Sequence, residues 1–217
     1  MSITGELVTE TVEYAGGRQV TVYIPPDPPE AVVFAGDGGW HTLRLGSALE
    51  AANARATVIV GVHGMPEDEG RVKEYSAAFD TEHFSAHEKF FVHDVGRWVR
   101  SRFGLDLPAE RTAVWGASVG GELALAMGLR HPDVYGAVFS ASPGGGYRPQ
   151  AVMPGLLPRV YLVAGTQEQF FLNNATRWAD ALRDAGADVV MRERDGGHGG
   201  GFWAEEFPLM VAWAFGR

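Results

Sequence analysis

Six short apolar runs punctuate the chain: AVVFAG (31–36), ATVIVGV (56–62), RTAVWG (111–116), VYGAVFSAS (134–142), RVYLVAG (159–165) and ADVVMRE (187–193). None alternates cleanly with polar residues, the pattern of strands buried on both faces. The stretches 42–53, 83–102, 119–130, 173–185 and 203–215 instead repeat apolar positions at helical spacing. Strand and helix therefore alternate, which predicts an α/β fold of three layers, a mostly parallel central sheet with helices on both faces. Before this series, 7–14 and 19–24 carry β-branched alternation around AGGR, which predicts an antiparallel N-terminal hairpin closed by a glycine turn. PPDPPE then breaks the chain. No internal repeat or low-complexity linker interrupts the rest, so a single domain spanning 1–217 is expected. The longest irregular pieces, 63–80 and 142–158, exceed ordinary connections and are expected to shape a binding site.

At 217 residues, 46% hydrophobic and 21% charged, the chain has the balance of a globular protein with a substantial core. Its net charge is −9 and no Lys/Arg-rich run occurs, so neither nucleic acid nor a membrane surface is an expected partner. The absence of cysteine excludes disulfides, thiolate nucleophiles and Cys-ligated zinc. MSITGELVTETVEY lacks the basic and apolar regions of a signal peptide, and no segment approaches the ~20 apolar residues of a spanning helix, so a cytoplasmic location is the expectation. Nothing in the sequence sets the oligomeric state.

Against this background RTAVWGASVGGELALAMGLRHP (111–132) stands out, with a serine in a glycine cage between a strand and a helix. Gly116-Ala117-Ser118-Val119-Gly120 fits the G-x-S-x-G nucleophile elbow, the mark of an α/β-hydrolase fold. The turn is so tight that side chains two positions before and after the serine would collide. It lifts the hydroxyl above the carboxyl end of the sheet, and it aims the Val119 N–H at a developing oxyanion. The pattern alone is weak in a chain with 29 glycines; the preceding strand and following helix strengthen it.

A serine hydroxyl needs a base. His198 in RDGGHGGGFW, between the last predicted strand and helix, is the favoured one of seven histidines, with no evident packing role. His83 and His87 share i, i+4 spacing, yet HEKFFVH is not H-E-x-x-H, so no metal site and no cofactor is expected. His41 lies where it could touch substrate, whereas His63 and His131 read as loop or helix-end residues. The orienting acid falls between serine and histidine in this fold. Glu168 in VAGTQEQF is favoured over Asp195, which shares the histidine's own loop and would need a sharp fold-back. The second oxyanion donor is expected in AGDGGWH, at the Asp37 or Gly38 amide. Trp40, Arg71, Tyr75 and Tyr147 lie on segments placed to surround a small-molecule ester, although the same residues would serve equally well as packing or surface positions.

Taken in order, DGGW, GRVKEY, GASVGG, GTQEQFFLNN and GGH resemble motifs of the putative esterase family of α/β-hydrolases, in its enterochelin-esterase-like branch. They look like its D-G-x-W oxyanion loop, its R-x-x-E-[YL] segment, its G-x-S-x-G-G elbow, and its acid and histidine loops. The resemblance covers nearly the whole chain from about Val20. It implies ester hydrolysis through Ser118, His198 and an acid matching Glu168, with Arg71 gripping an anionic or catecholate part of the substrate. Two departures stand beside it. Relatives often carry Asp and then Trp shortly after the histidine, where this chain reads HGGGFW; siderophore esterases can also carry an extra N-terminal domain, where this chain has the hairpin. Related branches act on feruloyl or acetyl sugar esters or on S-formylglutathione, or transfer acyl groups. Three readings follow: a serine esterase acting on an aromatic, siderophore-type or sugar-linked ester, an acyltransferase using the same residues, and a hydrolase-fold binding protein without turnover.

Overall fold

The computed structural model describes residues 3–216. In chain order the strands are β1 (Glu6–Val12), β2 (Arg18–Ile24), β3 (Ala31–Ala35), β4 (Thr57–Val62), β5 (Thr112–Ala117), β6 (Ala137–Ala141), β7 (Arg159–Gly165) and β8 (Val189–Arg194). The helices are α1 (Trp40–Ala51), α2 (Asp68–Tyr75), α3 (Thr81–Lys89), α4 (Val95–Phe103), α5 (Val119–Arg130), α6 (Gln169–Asp184) and α7 (Phe202–Phe215). One eight-stranded sheet runs β1-β2-β4-β3-β5-β6-β7-β8. The β1–β2 and β2–β4 pairings are antiparallel and all others parallel, the mixed sheet that the hydrophobic pattern predicts.

Period-two geometry explains why the central strands read as unbroken apolar runs. Val32 and Phe34 of β3 belong to the core on one face, where Phe34 meets Phe91 and Tyr135, while Ala31, Val33 and Ala35 belong to the core on the other, with Leu45 and Phe207. With helices over both faces, the polar positions Thr57, Thr112 and Ser140 on such strands are buried and bond their hydroxyls to backbone carbonyls. The hairpin turn uses backbone that favours glycine: Gly16 and Gly17 sit at φ 85° and 111°, and the Gly17 N–H donates to the Tyr14 carbonyl at 2.9 Å.

Three elements depart from the hydrophobic reading. The irregular piece 63–80 contains α2, whose DEGRVKEY has too few apolar residues to show a stripe. It is fastened to β2 by a buried, bidentate ion pair, Arg18 Nη1 and Nη2 donating to Glu74 Oε2 and Oε1 at 2.8 and 2.7 Å. The helix expected over 83–102 is split by a π-helical turn, Phe90–Asp94, between α3 and α4. Within that wider turn Phe90, Phe91 and Val92 are all buried. Finally, α6 starts four residues earlier than its apolar pattern, at Gln169, because Glu168 occupies its N-terminal boundary.

Candidate active site

The elbow between β5 and α5 is built as the glycine pattern requires. Ser118 sits at φ 59°, a strained conformation for a residue with a side chain, and its N–H is held by the Ala141 carbonyl at 2.9 Å. A Cβ at Gly116 would overlap the backbone of Gly120. One at Gly121 would press on the Ala141 carbonyl at 2.8 Å. The glycines therefore let β5, α5 and β6 approach closely, and the Ser118 carbonyl accepts the N–H groups of Gly121 and Glu122 to start the helix.

Three loops at the carboxyl edge of the sheet bring Ser118, His198 and Glu168 into one chain of contacts. His198 Nε2 lies 2.9 Å from Ser118 Oγ, and His198 Nδ1 lies 2.6 Å from Glu168 Oε2. Glu168 is buried, and its other oxygen, Oε1, accepts the Gly165 N–H at 2.6 Å and the Ser142 hydroxyl at 2.5 Å. An acceptor-only carboxylate held by these donors is fixed toward the imidazole. Asp195 does not reach the histidine; its Oδ1 accepts from Thr166 Oγ1 and Gln167 Nε2, both at 3.2 Å.

The imidazole plane is set by aromatic packing. Phe171 stacks on His198 at 3.8 Å between ring centres, 19° from parallel, and Trp203 meets it edge-on at 5.1 Å. Trp203 Nε1 also donates to Ser142 Oγ at 2.8 Å, so one residue of HGGGFW links histidine and acid. Ser142, Phe171 and Trp203 escaped the sequence reading. Ser142 follows β6 at φ 47°, a strained backbone like that of Ser118, which no spacing in the sequence reveals. Trp203 was visible in HGGGFW, but its contact depends on how the glycine loop folds back.

The segment after β3 differs from expectation. The Gly38 N–H donates to the Val62 carbonyl at 2.9 Å and the Asp37 N–H to Tyr75 Oη at 3.0 Å, so neither expected oxyanion donor is open. The reason is local: Asp37 adopts φ 58°, which turns the segment back against β4 and α2. Arg71 clamps the same residue, Nε and Nη2 donating to Asp37 Oδ1 and Oδ2 at 2.5 and 2.6 Å. Its guanidinium also lies over the Tyr75 ring at 5.1 Å.

A cleft of about 570 Å³ opens beside Ser118, walled by Val119, Phe79, Phe170 and Phe171 and floored by the glycines 144–146. None of Trp40, Arg71, Tyr75 and Tyr147 lines it. Tyr75 is fully buried, and burial pushes its phenol well above the usual tyrosine range. Tyr147 stacks on Trp178 at 5.3 Å instead of facing a ligand. Trp40 begins α1 with an exposed ring, and Arg71 borders a separate depression shared with His41 and His63. Burial pushes the His41 imidazole below its usual range. Glu122 lines the cleft, a buried carboxyl raised by desolvation and held back by the Ser76 hydroxyl on Oε1 and the Gly146 N–H on Oε2.

Known proteins share this arrangement of elements. A family model described as putative esterase matches residues 13–214. Enterobactin esterase from Shigella flexneri, solved in the presence of 2,3-di-hydroxy-N-benzoyl-serine, superposes with a TM-score of 0.77 at 19% identity, over 98% of this chain and 60% of that one. This chain thus spans under two thirds of that enzyme. A ferulic acid esterase from Anaeromyces mucronatus in complex with ferulic acid gives 0.77 at 16% identity, over 98% and 91% of the two chains. BES protein from Bacillus cereus gives 0.74 at 13% identity, over 97% and 94%. At these identities the likeness establishes the fold. Among curated proteins none matches the chain.

Proposed function

This chain belongs to the putative esterase family, and from that premise we propose that it hydrolyses a carboxylic ester through an acyl-enzyme formed on Ser118. The observation that carries this reading is the continuous series Ser118 Oγ, His198 Nε2, His198 Nδ1, Glu168 Oε2, with contacts of 2.9 and 2.6 Å. His198 takes the hydroxyl proton as Ser118 Oγ attacks the ester carbonyl, and Glu168 stabilises the imidazolium and fixes its tautomer. The tetrahedral intermediate expels the alcohol, which leaves with the proton from Nε2. Water, deprotonated by the same nitrogen, then attacks the acyl-enzyme and releases the acid and Ser118.

The Val119 N–H, at the start of α5, supplies one oxyanion donor. With the Asp37 and Gly38 N–H groups engaged, the Gly39 N–H takes the second role. Unlike those two, the Gly39 N–H has no hydrogen-bond partner among the described residues. The three phenylalanines of the cleft suit a substrate with an apolar or aromatic part, in line with the ferulic acid and dihydroxybenzoyl ligands of the structural neighbours. Acyl transfer uses the same residues and differs only in the acceptor that replaces water.

The test is turnover of p-nitrophenyl butyrate by wild type and Ser118→Ala. The variant should keep its fold by circular dichroism and lose activity by at least about a thousandfold. Retained turnover in the folded variant removes Ser118 from the mechanism.

A further inference from the structure

The cleft beside Ser118 carries cationic and amide donors that ester hydrolysis does not use. Arg148 and Arg177 both line it, and neither has an ion pair among the described residues. Arg148 Nε donates to the Gly145 carbonyl at 3.2 Å, leaving its terminal nitrogens for a ligand. Asn174 lines the same cleft three residues before Arg177, on the same face of α6. Its side chain is buried, at 7% exposure, and its Nδ2 has no partner. A buried amide donor left unpaired is costly, and this one belongs to a cleft-lining residue beside Gly145, where an acceptor that entered would satisfy it.

The cleft's carboxylate does not neutralise these donors. Glu122 is buried, and both its oxygens turn to protein donors, Ser76 Oγ and the Gly146 N–H. Glycine at 145 keeps the amide clear, because a Cβ there would stand 3.2 Å from Asn174 Nδ2 and 2.9 Å from the Phe170 ring. The whole chain carries −9, so its overall field repels anions, and two unpaired arginines on one cleft reverse that sign locally.

We propose that the ester taken by this cleft bears a second, ionised carboxylate, bound by Arg148 and Arg177 and receiving a hydrogen bond from Asn174 Nδ2. The inference rests on the reading of Ser118 as nucleophile and names the class of ester that Ser118 meets. A planar carboxylate matches the guanidinium donors in pairs and accepts the amide proton as well.

Matched ester pairs test it. For a carboxylate on the acyl side, p-nitrophenyl hydrogen adipate is compared with the ester in which isopropyl replaces the free carboxylate. For the alcohol side, the butyrate of p-hydroxyphenylacetate is compared with that of p-ethylphenol, by pH-stat. In at least one pair the charged ester should have a kcat/KM higher by about tenfold or more. That ratio should fall toward one in Arg177→Gln and in the Arg148→Gln/Arg177→Gln double variant. It should also fall in wild type as NaCl is raised from about 0.05 to about 0.5 M, a readout that needs no variant to fold. Ratios near or below one in both pairs, with the neutral esters turned over in a Ser118-dependent way, overturn this inference and leave the hydrolytic reading standing. No turnover of any of the four esters would overturn both.

Discussion

Ser142 touches no substrate in the proposed mechanism, yet removing its hydroxyl should slow the reaction. In Ser142→Ala, Glu168 Oε1 loses the 2.5 Å hydrogen bond and keeps only the Gly165 N–H, while Trp203 Nε1 loses its acceptor at 2.8 Å. A hydrogen bond to a charged group contributes about 1.5–3 kcal/mol, and the surviving donor retains part of that restraint. If the lower half of the range is needed to hold Glu168 against His198 in the transition state, kcat falls about thirteen- to forty-fivefold. KM should change little, because Ser142 is buried and absent from the cleft lining. The unpaired indole N–H, in a half-buried residue, costs about 1 kcal/mol of stability, a fall in Tm of roughly 2–4 °C for a chain of this size. The assay is kcat and KM for p-nitrophenyl butyrate beside a thermal melt of the same preparation. A folded Ser142→Ala with kcat within twofold of wild type would refute the positioning argument, even if its Tm fell as expected.

Other outcomes follow from the same geometry. Glu168→Ala should lose at least about a hundredfold in kcat/KM and Asp195→Ala less than about threefold, since only Glu168 contacts His198; the reverse order by steady-state kinetics would move the acid. A Cβ at Gly116 meets the Gly120 backbone, so Gly116→Ala should destabilise the fold by about 3 kcal/mol or more in a urea titration, and an unshifted midpoint would contradict the elbow packing. His87 is fully buried, with neither ring nitrogen hydrogen-bonded among the described residues and Glu74 Oε2 3.8 Å from Nδ1; burial pushes its pKa down to about 4, with Glu74 opposing and Arg18 reinforcing that shift. Because the unfolded chain binds this proton near pH 6.5 and the folded one only near 4, stability is full above 6.5 and drains as pH falls through that window. The loss amounts to ~2–3 kcal/mol by about pH 4.5. Urea midpoints across that range should flatten in His87→Leu, and an undiminished slope would show that another group titrates.

The strand and helix series was legible because β3 to β7 are buried on both faces, and that constraint writes itself as apolar runs. Helix α2 was not, since a short polar helix held by the Arg18–Glu74 pair carries its information in a partner 56 residues away. The same division runs through the site. Ser118 announces itself by local turn chemistry, and His198 and Glu168 by order along the chain. The burial of Tyr75, the closure of the Asp37 and Gly38 N–H groups, and the Ser142–Trp203 support depend on backbone twists at φ 58° and 47°, which sequence spacing does not encode. The cleft arginines are distinctive because Glu122, the carboxylate that lines the cleft with them, is engaged by Ser76 and Gly146.

The central claim, a nucleophilic Ser118, is tested most directly by its covalent chemistry. Folded protein is treated with a fluorophosphonate probe, digested, and the modified peptide mapped by mass spectrometry. A single adduct on Ser118, absent from Ser118→Ala and slowed in Glu168→Ala, is the expected result; unlabelled Ser118 in folded protein, or a label on another residue that tracks with esterase activity, would contradict the account.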